Sequence, residues 1–275
     1  MLKHNTIQQP QKKMKSIKTL LFVLVLLAFA GASYSQTDTN NVVKKKVSSI
    51  KKVYKSYKNC KKSNDCTYFN LSYQVVNSGK AKSIINKAIQ DSLLSAVNFW
   101  PDMNATTFKQ AASNFIAEYD SSLSQQNNGA PWMMDTKARV NSNGKNVLSY
   151  SVDQVIYTGG AHPNSYVTYY NFDKATGNQL TLKDVLGSGF ETALNKVIDA
   201  DFRKMKGLSA TDNLQEKAYL FENKITYTTN FAVEKKGLRF FYNNYEIAPY
   251  ATGQTNLFIP WKDLSGILPD ASYYK

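Results

Sequence analysis

His162 is the side chain in this sequence whose type best suits acid–base chemistry. It ends the segment Tyr157–His162, which reads YTGGAH and places Gly159 and Gly160 shortly before the ring. A general base needs a partner or an orienting group within hydrogen-bond distance. The alternative is a structural turn, in which the glycines supply unusual backbone angles and the ring bonds to the backbone. The sequence leaves both interpretations open.

Candidate partners for the ring can be named only by their nearness in sequence, and they are Asp153, Asp173 and Tyr157. The sequence contains no GxSxG, HExxH or Walker-type motif, so no recognised nucleophile, zinc-protease or nucleotide site accompanies His162. A protein-only zinc site needs about three nitrogen, sulfur or carboxylate ligands, and one histidine supplies too few. We therefore predict no metal and no cofactor, and we favour a chain without catalytic activity.

A second group of chemically capable side chains lies in Tyr245–Tyr250, which reads YEIAPY. Glu246 stands between aromatic residues, and Pro249 stiffens the turn. Exposed tyrosine rings can stack on sugar faces or anchor a protein interface, and they can equally cover the end of a sheet. The predicted ligand-binding residues are Tyr157, Gly159, Gly160, His162, Tyr245, Glu246 and Tyr250.

The N-terminal residues have the pattern of a signal peptide. The apolar run Leu20–Ala32 follows several lysines and is followed by small residues up to Ser35. The run is shorter than the ~20 apolar residues that a membrane-spanning helix needs, so a retained anchor is the weaker alternative. We expect residues 1–35 to be removed by cleavage after Ser35, and the mature chain to be periplasmic or extracellular.

Export also bears on Cys60 and Cys66, the two cysteines of the chain. They flank the short polar loop KKSND, and in an oxidising compartment such a pair is expected to form a disulfide. A redox or metal-binding pair is the alternative. The absence of a CxxC spacing and of a second ligand pair disfavours it.

The formal net charge of +14 arises almost entirely in the N-terminal part of the chain. Val42–Lys62 holds nine lysines and no acidic residue, whereas residues 63–275 hold 20 basic and 19 acidic residues. Such a segment can make weak contact with an anionic membrane, or it can be a solvated strand or arm that lysine keeps soluble. Because the lysines bring no arginine and no recognised binding motif, no nucleic-acid partner is predicted.

Periodicity predicts an α+β fold, with antiparallel sheets and helices packed on one face. Apolar residues recur at helical spacing in Ala81–Val97, Thr107–Leu123 and Phe190–Met205, and they alternate in shorter segments. The order of elements lacks the strict alternation of parallel βαβ units. The predicted strands are Val47–Tyr57, Tyr68–Val76, Trp132–Asn141, Asn146–Tyr157, Tyr166–Phe172, Phe231–Glu234, Leu238–Tyr242 and Asn256–Pro260.

Two turns carry specific signals. Asp173–Gly177 has a glycine where a positive φ costs little, as in a hairpin-type turn. Thr181, with Asp184 three residues later, has the pattern of a helix capping box in which Asp replaces the usual Glu. We therefore expect a tight turn after the third strand of a meander, followed by a helix that begins at Thr181.

Several of these segments resemble known families. Thr67–Val97, a strand followed by a helix, resembles the N-terminal half of the PdaC-type domain. Tyr157–His162, Asn171–Asp184 and Gly237–Leu264 resemble the RsiV-type C-terminal domain, most specifically in the stretches YTGGAH and YEIAPYATG. The resemblance implies two closely packed subdomains, the PdaC-like residues 47–165 and the RsiV-like residues 166–275. Residues 36–46 would then be a flexible basic arm.

Members of these families are exported modules, and some recognise lysozyme or stand beside a polysaccharide deacetylase. The residues before Leu20 are too few for a sigma-factor-binding domain, and His162 alone does not supply the ligands of a deacetylase. The resemblance therefore implies a sensor-like envelope module that binds a lysozyme-like protein or a peptidoglycan fragment. Two alternatives stay open. One is a cell-wall carbohydrate hydrolase that uses His162 and an acidic residue, and the other is a structural module whose segment Val42–Lys62 contacts anionic lipid.

Overall fold

The larger of the two sheets has five strands, which are ordered as they follow in the sequence. The computed structural model describes residues 47–55, 66–98, 104–125 and 130–268. The strands of this sheet are β1 (Val47–Lys55), β2 (Tyr68–Val76), β3 (Met133–Asn143), β4 (Val147–Tyr157) and β5 (Asn164–Asp173). The last three form the predicted antiparallel meander, in which β4 pairs with both of its neighbours in sequence.

The pairing of β2 with β3 is parallel, unlike the other three pairs of this sheet. Between these strands lie the helices α1 (Lys82–Val97) and α2 (Phe108–Gln125). A parallel pair needs a crossover that returns the chain to the same end of the sheet, and helices commonly provide it. The predicted α+β class is thus confirmed, and the pairing of this sheet is antiparallel except at this one junction.

The two crossover helices cover one face of the larger sheet. In α1 the buried side chains are Ile85, Ile89, Leu93 and Val97, which recur every four residues and therefore share one face. From α2, Phe115 is fully buried, and its ring centroid lies 6.1 Å from that of Phe69 in β2. This face of the sheet and the two helices form the first hydrophobic core.

Strand β4 is buried on both faces, as its almost unbroken run of buried residues indicates. Leu148 and Tyr150 belong to the first core, whereas Val147, on the opposite face, belongs to a second core. Since successive side chains of a strand point to opposite faces, β4 separates two layers of packing. The second layer is made by the C-terminal elements.

The C-terminal elements form a three-stranded antiparallel sheet with helices packed against it. Apolar side chains of the long helix, including Leu194, Ile198 and Phe202, are fully buried in the second core. The predicted strands and helix are confirmed to within a few residues. The elements are α3 (Leu182–Leu186), α4 (Glu191–Lys206), α5 (Leu214–Ala218), β6 (Phe231–Glu234), β7 (Gly237–Tyr242), β8 (Thr255–Pro260) and the 3-10 turns Tyr250–Thr252 and Trp261–Leu264.

Asparagine side chains join the two sheets where β6, the first strand of the smaller sheet, meets β5 and β4. The Asn171 side-chain oxygen accepts from the Val233 N–H at 2.8 Å, and its Nδ2 donates to the Phe231 carbonyl at 2.8 Å. The Ser149 hydroxyl lies 2.6 Å from the Val233 carbonyl. Asn171 and Ser149 are both fully buried, so they satisfy backbone groups that have no access to water.

Two more asparagines form hydrogen bonds with backbone groups on the free edge of β5, which is the last strand of its sheet. The Asn230 side-chain oxygen accepts from the Tyr169 N–H, and that of Asn243 accepts from the Val167 N–H, each at 2.8 Å. Both side-chain amides also donate to the Val167 carbonyl, at 2.8 Å from Asn230 and 3.1 Å from Asn243. We call Asn171, Asn230 and Asn243 the amide junction.

The two predicted turn signals are confirmed. Gly177 has φ +82° in the turn after β5. At α3 the Thr181 hydroxyl accepts from the Asp184 N–H, and the Asp184 carboxylate accepts from the Thr181 N–H at 2.7 Å. This reciprocal pair is the capping box, and it satisfies two backbone donors at the start of the helix.

Several predictions fall on residues outside the described ranges. These are the signal peptide with its cleavage site, the basic arm at residues 36–46, and Cys60. The partner cysteine, Cys66, is described and is 3% exposed. Export and the disulfide therefore stay predictions. Of Val42–Lys62, residues 47–55 are described and form the edge strand β1, while contact with an anionic membrane stays a prediction.

The division into subdomains at residues 165 and 166 also stays a prediction. Strand β5, which that division assigns to the C-terminal subdomain, pairs with β4 along its whole length. The described residues all belong to one compact unit. Within the described ranges, no helix has both the length and the apolar character that crossing a membrane requires.

Replacing Asn171 with Ala should lower the free energy of unfolding by about 3 kcal/mol, because buried backbone groups of β6 lose their partners. The measurement is chemical denaturation followed by circular dichroism. Asn104→Ala is the matched control, since Asn104 is exposed and makes no hydrogen bond in the described chain. A loss as small as that of the control would contradict the role assigned to the junction.

Asp184 should make stability depend on pH in the acidic range. Hydrogen bonds from the Thr181 N–H and hydroxyl hold the pKa of Asp184 below its usual value of 3.8. A lowered pKa in the folded state gives stability that is complete above pH 3.8 and is lost as the pH falls through the folded value. We expect this contribution to be about 0.5 kcal/mol, because the carboxylate is largely exposed to solvent.

The measurement is the unfolding free energy of the wild type and of Asp184→Asn between neutral pH and pH about 2. The difference between the two proteins should shrink on acidification. Glu118→Gln is the control, because Glu118 is an exposed carboxylate with no hydrogen bond or ion pair among the described residues. A difference that is constant with pH would contradict the assignment.

Candidate functional site

The two segments that the sequence analysis singled out meet in the folded chain. The His162 ring stacks on the Tyr250 ring, with centroids 3.8 Å apart and planes inclined by 21°. The Tyr250 hydroxyl donates to the Pro163 carbonyl at 3.0 Å. His162 lies in the turn between β4 and β5, and Tyr250 begins a 3-10 turn before β8, so the contact joins the two sheets.

The protonation of the neutral His162 ring follows from its neighbour. Nδ1 lies 3.1 Å from the Pro163 carbonyl oxygen, which can only accept a hydrogen bond. Nδ1 therefore carries the proton, and Nε2 is left as an acceptor. The interpretation of His162 as a residue bonded to backbone in a turn agrees with this geometry, while Nε2 stays available to a ligand.

Tyr245 lies next to this stack, with its ring tilted by 36° against that of Tyr250. Its ring centroid lies 5.7 Å from that of Tyr250, and 56% of the residue is exposed. We call Tyr245, Tyr250 and His162 the aromatic surface. Tyr245 also has φ +65°, a left-handed conformation that is rare for a bulky residue and costs on the order of 1 kcal/mol or more.

The remaining residues predicted from YTGGAH precede His162 in the chain and make no described ring contact with the aromatic surface. Tyr157 is the last residue of β4 and is half-buried. Gly159 has φ +86°, and a side chain there would approach the Trp132 indole nitrogen at 3.4 Å. A side chain at Gly160 would meet open space. Of the two glycines, the backbone conformation therefore requires only Gly159.

Glu246 has a structural role in this turn. One carboxylate oxygen accepts from the Asn243 N–H at 2.7 Å, and the other accepts from the Thr228 hydroxyl at 3.0 Å. Burial, and next the charge of Glu246, raise the pKa of Tyr242, whose hydroxyl donates to the Thr226 carbonyl at 2.6 Å. Glu246 thus fixes the loop that carries Tyr245.

The acidic residues named as partners of His162 are engaged elsewhere. Asp153 pairs with Arg139 across β3 and β4. The Asp173 carboxylate accepts from the Ala175 N–H at 2.8 Å and the Thr176 N–H at 2.7 Å, which closes the turn after β5. Among the described residues, no group of three or more His, Cys, Asp or Glu side chains is placed to hold a metal ion.

Two family models match the chain, one after the other. Residues 60–165 match a family described as "Deacetylase PdaC", and residues 183–262 match one described as "Protein of unknown function (DUF3298)". The chain carries a PdaC region followed by a DUF3298 region. This confirms the predicted order of a PdaC-type domain and a C-terminal domain of unknown function. The aromatic surface takes His162 from the PdaC region and its two tyrosines from the DUF3298 region.

Solved structures of DUF3298 proteins share this fold. A DUF3298 family member from Bacteroides fragilis NCTC 9343 has a TM-score of 0.68 and 23% identity, covering 82% of this chain and 94% of that one. A DUF3298 family protein from Pseudomonas aeruginosa PAO1 has a TM-score of 0.61 and 20% identity, covering 80% and 93%. At these identities the likeness concerns the fold alone. No curated protein shows significant similarity to the chain.

Sequence reasoning named the rings but missed the contacts that position them. The Gln254 side chain donates to the Ser165 carbonyl at 3.0 Å, which continues the line of contacts from Tyr250 to the start of β5. The residue type of Asn243 predicts a turn, but nothing in the sequence predicts its hydrogen bond with the Val167 backbone. Two exposed aromatic residues of the DUF3298 region, Tyr219 and Phe221, also went unnamed because they lie in no periodic segment.

Replacing Tyr245 with Ala and, separately, with Gly should measure the energetic cost of its left-handed backbone conformation. Both changes delete the ring, so their difference isolates the cost of a side chain at φ +65°. We expect the Gly variant to be more stable than the Ala variant by about 1 kcal/mol, measured by chemical denaturation. At Lys196, exposed within α4, the same two changes should give the opposite order. The same order at both positions would contradict the strained conformation.

Proposed function

We propose that the chain is an exported cell-envelope module that binds a ligand through the aromatic surface of Tyr245, Tyr250 and His162, without catalysing a reaction. The export part of the proposal depends on the signal-peptide pattern around Leu20–Ala32. The binding part depends on one observation, namely that three ring side chains from both regions lie together, with His162 stacked on Tyr250 and Tyr245 tilted against it.

The exposure of the outermost ring supports a binding role. Tyr245 is more than half exposed, and its hydroxyl has no hydrogen-bond partner in the described chain. A ring that is supported on one side by Tyr250 and open on the other offers apolar area together with a polar end. Such amphipathic rings recur at interfaces and in ligand sites, because they bury much area and lose little conformational freedom.

The backbone conformation of Tyr245 also supports the proposal. Folding stability alone favours Gly or Asn at φ +65°, so a tyrosine there is retained at a cost. Glu246 holds the loop in place through its bonds to Asn243 and Thr228. Strained residues in over-determined loops are frequent at ligand sites, where they present a side chain in a fixed direction.

Between the two predicted ligands, we favour a peptidoglycan fragment over a lysozyme-like protein. An exposed aromatic ring suits the apolar face of a sugar, and Nε2 of His162 can accept a hydrogen bond from a sugar hydroxyl. The description "Deacetylase PdaC" of the matched family also indicates an acylated glycan as the first ligand to test.

The experiment measures binding of soluble, purified peptidoglycan fragments to the full chain by isothermal titration calorimetry. Tyr245→Ala should weaken binding at least about tenfold, since a central aromatic contact is lost. Tyr166→Ala is the matched control, because Tyr166 is an exposed tyrosine outside the aromatic surface. Tyr250→Phe keeps the ring and should have a smaller effect than Tyr245→Ala.

Other outcomes would contradict the proposal in different ways. Unchanged binding in Tyr245→Ala and in His162→Ala would mean that the ligand lies elsewhere. Capture of lysozyme, lost in Tyr245→Ala, with no affinity for glycan would favour the protein ligand. Release of a cleaved sugar that stops in His162→Ala would favour the hydrolase that uses His162 and an acid.

A further inference from the structure

A second candidate site lies away from the aromatic surface. It is a basic groove where the end of β3, in the PdaC region, meets the hairpin of β6 and β7, in the DUF3298 region. Its volume is about 460 Å³, within the range of small-molecule sites. The side chains that line it include Asn141 at the end of β3, Glu234, Lys235, Lys236 and Arg239 of the hairpin, and Phe258 of β8.

The one carboxylate that lines the groove is already neutralised. Glu234 accepts from Arg239 Nε at 2.6 Å and from Arg239 Nη2 at 3.2 Å. The Asn141 side chain also donates to it, at 3.3 Å. The hydrogen bond to Glu234 raises the pKa of Arg239, so the guanidinium stays charged. Glu234 and Arg239 together contribute no net charge to the groove.

The positive charge left in the groove comes from Lys235 and Lys236. Both are exposed, and neither has an ion-pair partner among the residues that the structure describes. They are consecutive residues and occupy the two positions between β6 and β7, so one short turn carries two positive charges. Like charges on neighbouring residues repel each other, and an anion bound by both would relieve the repulsion.

The turn that carries the lysines is fixed before any ligand binds. The Trp261 N–H donates to the Lys236 carbonyl at 3.1 Å, and the Trp261 indole N–H donates to the Lys235 carbonyl at 3.3 Å. A side chain at Gly237 would come within 2.1 Å of the Ile259 carbonyl oxygen, so the hairpin packs directly on β8. A fixed turn lowers the entropy lost when a ligand is held.

Arg239 supplies hydrogen-bond donors of fixed orientation to the groove. Its guanidinium carbon lies 5.3 Å from the centre of the Phe258 ring, and Nη1 donates to Asn256 at 2.9 Å. Three of its five N–H donors are used by Glu234 and Asn256, which leaves two. A guanidinium fixed by Glu234 and Asn256 presents its remaining donors in one plane, which suits the oxygens of a carboxylate or phosphate.

From these contacts we infer that the groove binds a small polyanion, with carboxylate or phosphate groups held by Lys235, Lys236 and the remaining donors of Arg239. Because Asn141 belongs to the PdaC region and the hairpin to the DUF3298 region, the groove lies where the two regions meet. The inference depends on residues outside the aromatic surface and does not require the proposed glycan ligand.

The test measures binding of inorganic pyrophosphate and, separately, of citrate to the full chain by calorimetry at low ionic strength. At least one of the two should bind, and the anion that binds more tightly identifies the phosphate or the carboxylate class. The double variant Lys235→Gln with Lys236→Gln should weaken that binding at least about tenfold, because both unpaired charges are removed.

The matched control is the double variant Lys196→Gln with Lys217→Gln, which removes two exposed lysines that do not line the groove. It has the same change in net charge and should bind as the wild type does. An equal loss in both double variants would show non-specific attraction and overturn the inference. Absence of binding by both anions would overturn it as well. Thermal unfolding of each variant verifies that it is folded.

Discussion

The structure depends on a junction between two sheet edges that do not pair with each other through their backbones. Strand β5 ends one sheet and β6 begins the other, and each presents backbone groups that need partners. The amide junction of Asn171, Asn230 and Asn243 supplies them, since an amide side chain can donate and accept at once as a peptide group does. Because the partners are side chains, the two sheets meet without forming one continuous backbone ladder.

This constraint also determines where the aromatic surface lies. The contacts along the free edge of β5 run from Asn230 and Asn243 through Gln254 to Tyr250, each bonded to a backbone group of β5 or of the residue before it. The Tyr250 ring is therefore positioned by the same edge that holds the sheets together. The stack with His162 follows, because Pro163, which accepts from Tyr250, is the neighbour of His162. A ligand on this surface would contact both regions.

The predictions from sequence were accurate where a local rule applies. Alternating apolar residues predicted the strands, and apolar residues at helical spacing predicted the long helices. The Thr181–Asp184 pattern predicted a capping box, which the structure contains. The parallel pairing of β2 and β3 was not readable, because it depends on where two helices return the chain. The partners of Asn171 and Asn243 were not readable either, since an isolated amide has no periodic signal. Glu246 was named for its type as a ligand contact, which stays a prediction, and the structural role of its carboxylate in fixing a loop was missed.

The loop of Tyr245 shows a stability cost that the proposed recognition role would explain. A tyrosine in the left-handed region raises the energy of the folded state, and replacement by glycine would remove that cost. The loop tolerates the strain because Glu246 binds both Asn243 and Thr228, while Asn243 is itself held by β5. Three well-formed contacts thus fix one unfavourable conformation. This arrangement is costly for a residue that only covers the end of a sheet, and it is understandable for a ring that must face a ligand in one orientation.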